Sequence, residues 1–272
     1  MTATAVMVGS HFDANAWAGT WPFESGEAFP LNAVIPGLRE AGFSGALVSP
    51  LRAALAAEPS AANAELCDEV MRLPTSGFAL RIAPVIDPSL ADWERQLAHA
   101  LDRGGDALGA IRVIPNYHAY DLASPSVDAL ANVLSAQRIP LVIQVRMLDE
   151  RAHHPRMVVP PVLVESIAEL GRRHPDLEIV VSGVFFGELA ALQDVPNVSI
   201  ELSSVESADT LPDVMRMIPA KRILLGTHAP LYVPAAALAK LAGDSISPQT
   251  LIGIGGETAR ALFVRSRPGT SP

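Results

Sequence analysis

The sequence predicts a single-domain α/β chain folded as a (β/α)8 TIM barrel, and three observations lead there. Eight short apolar runs rich in Val, Ile and Leu alternate with longer segments of helical period. The runs are continuous rather than alternating, as parallel strands buried on both faces require. No Gly-x-Gly-x-x-Gly turn follows an early strand, which argues against an open doubly wound sheet; Gly253-Ile254-Gly255-Gly256 comes too late to serve.

The runs begin near Ala5 (AVMVG), Gly45 (GALVS), Phe78 (FALRIAPV) and Gly109 (GAIRVIP). They continue near Leu141 (LVIQVR), Glu178 (EIVVSG), Asn197 (NVSIEL) and Arg222 (RILLGT). Helices are expected over 30–41, 88–101, 125–137 and 160–173, each opening on proline, whose missing N–H needs no partner in a first helical turn. A last helix over 257–264 closes the barrel. Residues 1–264 form the domain, and 265–272 are expected to be a disordered tail.

Composition narrows the function. Of 272 residues, 49% are hydrophobic and 18% charged, enough to build one large core. A net charge of −9 gives no basic footprint for nucleic acid. The single cysteine, Cys67, rules out an internal disulfide and a cysteine-only zinc site. Its setting, Leu66-Cys67-Asp68-Glu69, reads as helix rather than as a thiolate nucleophile. No basic residue precedes the first apolar run, so a signal peptide is not expected. No apolar stretch approaches the ~20 residues that span a bilayer. The expectation is a cytoplasmic protein with no membrane partner.

In a barrel of this kind, polar residues at the C-terminal strand ends carry function. After the first run comes His11-Phe12-Asp13-Ala14-Asn15-Ala16-Trp17. The third and fourth runs contribute Arg81 and Arg112, the fourth followed by Asn116, Tyr117 and His118. The fifth offers Gln144 and Arg146 on one face, then Asp149, Glu150 and Arg151. The seventh ends in Glu201, Ser203 and Ser204, and the eighth in Thr227 and His228.

Arginines inside apolar strands are costly unless paired. Either Arg81, Arg112 and Arg146 pair with Glu201, Asp149 or Asp87 and brace the barrel mouth, or at least one grips an anion through its two-pronged fork. Arg112 and Arg146 are the preferred anion anchors. His228 and His118 suit proton transfer, or equally a structural hydrogen bond. His153 and His154 read as a surface loop, and His99 and His174 as solvated. Trp17 and Trp21 either wall a pocket or cap the barrel.

These residues together resemble the amidohydrolase-related (amidohydrolase 2) branch of the metal-dependent hydrolases, over nearly the whole barrel. Phe12-Asp13-Ala14-Asn15-Ala16-Trp17 stands where that family shows Ile-Asp-x-His-x-His. Leu225-Gly226-Thr227-His228-Ala229-Pro230 stands for its Gly-Thr/Ser-Asp-x-Pro strand ending, and Ala259-Arg260-Ala261-Leu262-Phe263 for its terminal Arg-Leu-Phe helix. The resemblance implies metal-assisted hydrolysis, or decarboxylation in some members. The ligand positions it marks hold Asn15, Trp17, Gln144, Ser182 or Gly183, and His228. Trp and Gly cannot ligate zinc through a side chain, and Asn and Gln ligate it poorly. No metal ligand is therefore assigned; a rearranged set of His11, Asp13, His118, Glu201 and His228 stays open, with zinc or manganese as its cation.

The expected function is a hydrolase or decarboxylase acting on a small carboxylate-bearing substrate at the barrel mouth. His228, Glu201 and His118 are its catalytic candidates. Arg112, Arg146, Gln144, Arg81, Asn15 and Trp17 are its substrate-binding candidates. One alternative is an inert barrel that binds an anionic metabolite or partners an active paralogue; another is a scaffold or subunit. The expected partner is a small anionic molecule, with self-association left open.

Overall fold

The computed structural model describes residues 11–23, 28–73, 77–149, 151, 159–242 and 245–264. The run at Ala5, the tail from Arg265, and Glu150, His153 and His154 lie outside the described residues. The first described strand is β1 (His11–Thr20), so the polar cluster expected to follow a strand is itself strand.

A short β2 (Ala28–Phe29) pairs antiparallel with β1. Then come β3 (Phe43–Pro50), β4 (Ala79–Ile82), β5 (Ile111–Val113), β6 (Leu141–Gln144), β7 (Ile179–Ser182), β8 (Val198–Glu201) and β9 (Ile223–Leu224). Seven of these match the expected runs in place. All pair in parallel with their neighbours, in two arcs ordered β2-β1-β3-β4 and β5-β6-β7-β8-β9.

The two seams between the arcs are bridged. Ile82 pairs with Leu108 and Val85 with Arg112 at one. At the other, Ala14 N–H donates to Leu225 O (2.8 Å), His228 N–H to Asn15 O (2.7 Å) and Trp17 N–H to Ala229 O (2.8 Å). The fold is the expected (β/α)8 barrel.

Helices cover the outside: α1 (Leu31–Glu40), α2 (Ser60–Arg72), α3 (Trp93–Gly104), α4 (Pro125–Gln137), α5 (Val164–Arg173), α6 (Thr210–Met215), α7 (Pro234–Ala239), α8 (Pro248–Ile252) and α9 (Thr258–Phe263). α4 starts on its proline as expected, but α3 and α5 start later than 88 and 160. Asp87 Oδ1 accepts the N–H of Ser89 (2.9 Å), making a turn of Pro88, and Pro160 is followed by Pro161, which disfavours helical backbone in the residue before it. Cys67 lies buried in α2, as a helical residue.

The barrel interior is layered. At the N-terminal end Phe12, Val142, Val180, Leu224 and Phe263 form an apolar plug, with the Phe12 and Phe263 rings stacked at 6.2 Å. At the mouth, Trp17, Trp21, Leu51, Val85, Ile114 and Met147 form a second cluster.

β1 serves both layers because its register with β3 shifts between Asp13 and Ala16. Phe12 and Ala14 pack in the plug, whereas beyond the shift Trp17 packs in the mouth and Ala16 and Ala18 pack among the outer residues. Strict period-two alternation would have sent Trp17 outward with its odd-numbered neighbours; an irregularity of this kind re-aims the side chains that follow it.

Gly226 shows how closely the last strand approaches this interior. A Cβ there would collide with Glu201 Oε2 and sit 3.2 Å from the Asn15 Cβ. Gly226→Ala should therefore lower Tm by roughly 5–10 °C, through overpacking of about 2–3 kcal/mol. Gly37→Ala, on a helix face with nothing within 4 Å, should leave Tm unchanged or slightly raised. Thermal unfolding by circular dichroism reads both, and equal melting of the two variants would contradict this packing.

Candidate functional site

The C-terminal mouth gathers Asn15 and Trp17 from β1, Arg112 from β5, Gln144 from β6, Glu201 from β8 and His228 after β9 into one buried hydrogen-bonded network. Asn15 is its hub. Its Oδ1 accepts from Arg112 Nη1 (2.9 Å), while its Nδ2 donates to Glu201 Oε1 (3.1 Å) and His228 Nδ1 (3.0 Å). An amide alone among the side chains offers both an acceptor to a cation and donors to a carboxylate and an imidazole.

Trp17 determines the state of His228. An indole N–H can only donate, and Trp17 Nε1 lies 3.1 Å from His228 Nδ1. Nδ1 therefore carries the lone pair, and Nε2 carries the proton, donated to Met147 O at 2.6 Å. Burial, then the Arg112 charge, pushes the ring down to about 4. The backbone at His228 is left-handed (φ 57°), a conformation this residue type tolerates better than most.

Three charges share the interior. Arg112 is fully buried; burial lowers its guanidinium to about 9, against the pull of Glu201 and Asp13, so it stays a cation at neutral pH. Its Nη1 also donates to Gln144 Oε1, and the Trp17 ring lies 4.4 Å from its Cζ. Its Nε and Nη2 have no hydrogen-bond partner among the described residues.

Glu201 is held by four donors. Oε1 accepts from Asn15, from Gly183 N–H (2.9 Å) and from Ser203 Oγ (2.7 Å), and Oε2 accepts from Ser203 N–H (2.7 Å). Asp13 accepts from Asn15 N–H, Thr227 N–H and Thr227 Oγ1. Burial nevertheless raises it to about 6.

Arg146 is committed elsewhere. It forms a two-pronged pair with Glu188 (2.5 and 2.9 Å), donates to Gly183 O and lies over the Phe185 ring at 3.8 Å. The carboxylates expected to pair the arginines are thus corrected. Arg146 takes Glu188, Arg112 takes two amide oxygens, and Arg81 donates to Leu80 O. Glu188 escaped the sequence reading because nothing in a short turn after β7 marks which way its carboxylate points.

Other candidates do not join the network. His118 Nε2 lies 3.0 Å from Ala53 O, and its Nδ1 lies 4.0 Å from Asp87 Oδ2. Arg81 lies half-buried at the β4–β5 seam. His11 begins β1 at the opposite end, against Phe43. The rearranged set of His11, Asp13, His118, Glu201 and His228 therefore does not converge. His174, expected to be solvated, is held by Asp128 at 2.8 Å.

A divalent cation at the ligand positions the resemblance marks does not fit the side chains there. Asn15 and Gln144 give their amide oxygens to Arg112, Trp17 only donates, and both His228 nitrogens are taken. Among the described residues no group of three His, Cys, Asp or Glu could hold a metal ion.

A cleft of about 540 Å³ opens beside the network, lined in part by Ser203, Thr227, Phe185, Tyr232 and Lys240. Ser203 and Thr227 lie one hydrogen bond from Glu201 and Asp13. The Tyr232 ring lies 4.9 Å from that of His228, and Lys240 Nζ donates to Leu202 O and Ser203 O. Tyr232 and Lys240 were missed in sequence because both lie beyond the last strand, one in a loop and the other just past α7.

Comparison with known proteins agrees with this fold. The profile of a family described as amidohydrolase matches residues 14–265. No curated protein sequence matches the chain. Among solved structures, a dihydroxybenzoic acid decarboxylase from Polaromonas sp. JS666, with bound manganese and the inhibitor 2-nitroresorcinol, superposes with TM-score 0.71. It is 18% identical, over 94% of this chain and 97% of that one. The 5-carboxyvanillate decarboxylase of Sphingomonas paucimobilis gives TM-score 0.69 at 13% identity, over 94% and 99%. At such identities the likeness establishes the fold. No described helix is long and apolar enough to cross a membrane.

The network predicts the titration of His228. Its value of about 4 lies below the ordinary 6.5, so between those limits the unfolded chain binds a proton that the folded chain refuses. That contribution to stability is complete above 6.5 and is lost as pH falls toward 4. Asp13, raised to about 6 from 3.8, acts in the opposite direction between those values. Nitrogen-15 NMR should show His228 neutral, in the Nε2–H form, at pH 5.5. A midpoint near 6.5, or an Nδ1–H signal, would contradict the arrangement.

Proposed function

The chain belongs to the amidohydrolase family, and from that premise we propose that it binds a small carboxylate-bearing molecule at the barrel mouth, without the metal-activated water the resemblance implies. One observation carries this reading: at the centre of the site, the Nε–Nη2 edge of Arg112 is a buried cationic fork with no partner among the described residues. Each buried donor left unmade costs about 1–3 kcal/mol. A carboxylate across that edge would make two parallel charge-assisted bonds. Trp17 backs the guanidinium and Asn15 and Gln144 hold Nη1, leaving the opposite edge for the ligand. The rest of the molecule would lie in the cleft, whose lining residue Ser203 touches Asn15 and Glu201 of the network.

A second reading, hydrolysis or decarboxylation of the bound molecule, is favoured by the decarboxylases of like fold. In that reading Arg112 anchors the anion, Glu201 orients the reacting group, and the acid or base is a group other than His228, whose ring nitrogens are both engaged. A guanidinium that grips a carboxylate stabilises the ground state more than a departing neutral CO2. Hydrolysis of another bond in the ligand therefore suits Arg112 better. With either reading we propose a small anionic molecule, and neither nucleic acid nor membrane, as the partner, and the cytoplasm as the location.

The test is thermal shift against a panel of small aliphatic and aromatic carboxylates, each beside its primary amide, with mass spectrometry of the mixtures. Carboxylates, and not amides, should raise Tm of the wild type. Arg112→Lys, which keeps the charge but loses the fork, should weaken binding at least roughly tenfold. Lys240→Ala should bind nearly as the wild type. Loss in Lys240→Ala with retention in Arg112→Lys would move the anion to the outer cleft and overturn the assignment. Product formation would decide for the second reading.

A further inference from the structure

The side chains at the implied metal positions do not merely fail to ligate a metal; they are arranged around another cation. Asn15 Oδ1 and Gln144 Oε1 both accept from the same nitrogen, Arg112 Nη1. Trp17 presents its ring face to the same guanidinium at 4.4 Å. His228 directs its Nδ1 lone pair to the N–H groups of Asn15 and Trp17, two of the three residues that hold Arg112. Ser182 stands opposite Gln144 in the β6–β7 register. Every one of the five positions except Ser182 thus touches Arg112 or a residue that does.

We infer that the Arg112 guanidinium is a built-in cation occupying the ground of a divalent ion, so that this side chain and a metal at the mouth exclude one another.

The substitutions make chemical sense together. A metal ion wants lone pairs pointed at one centre. A guanidinium wants acceptors in its plane and an aromatic face against it. Amide oxygens and an indole supply these, where imidazoles would supply the former. Charge follows the same logic: Asp13 and Glu201 are buried carboxylates, and Arg112 is the cation within electrostatic reach of both. Unlike a metal ion, this cation is tethered to β5, cannot dissociate, and has no coordination position at which to acidify a water. The inference rests on how Arg112 is held and not on what its free edge binds.

The test uses two variants of the full chain. One carries Asn15→His, Trp17→His and Gln144→His with Arg112 kept; the other adds Arg112→Ala. Both are incubated with cobalt or zinc and dialysed, then read by metal analysis and by the visible absorption of bound cobalt. The variant lacking Arg112 should retain roughly one equivalent of metal, and the one keeping it less than about a tenth. Equal retention by the two, or none by either while circular dichroism shows both folded, would overturn the inference.

Should the fourfold variant not fold, Arg112→Ala alone decides. Methylguanidinium at millimolar concentration should raise its Tm and leave the wild type unmoved, whereas no rescue would refute the cation's role. These readouts are independent of carboxylate binding, so the two assignments can fail separately.

Discussion

One buried cation placed against two buried carboxylates is the constraint on which the rest of this barrel depends. Arg112, Asp13 and Glu201 are fully excluded from solvent, and an unpaired charge there costs several kcal/mol. Arg112 touches neither carboxylate by hydrogen bond; the Asn15 amide stands between, accepting from the guanidinium and donating to Glu201. The attraction is transmitted through a polarised amide, which leaves the other guanidinium edge uncommitted.

That constraint propagates outward. Because Asn15 spends one N–H on Glu201 and the other on His228, and Trp17 adds a third donor, the imidazole is neutral and fixed in one tautomer. Asp13 and Thr227 tie β1 to the segment after β9, beside the backbone bonds that join the two arcs. The same residues that define the site therefore close the barrel. Gly226 carries no side chain because Glu201 occupies the space a Cβ would need.

Much of the architecture was legible in the sequence. Continuous apolar runs announce strands buried on both faces, and seven of them fall where β3 to β9 lie. α4 was legible from its proline start, and the closing helix from its likeness to the family's terminal Arg-Leu-Phe segment. The segment His11–Thr20 was read as following the first strand, whereas it is itself strand, because its polar residues are buried among partners rather than exposed. Within the site, the residue types of Asn15, Arg112, Gln144, Glu201 and His228 could be listed from their places at strand ends, because a barrel's topology sends those ends to one face.

The sequence by itself determined the fold class and, at the positions its family resemblance marks, side chains that ligate zinc poorly or not at all. These follow from short-range periodicity and side-chain chemistry. Only the tertiary structure decided which arginine is free. Arg112 and Arg146 look alike as single residues in apolar runs, yet Glu188, distant in sequence, saturates one, while two amides and an indole hold the other by one edge. Partnering of that kind depends on the register shift in β1 and on which strands become neighbours on closure. Neither is encoded locally, because each is settled by packing across the whole barrel.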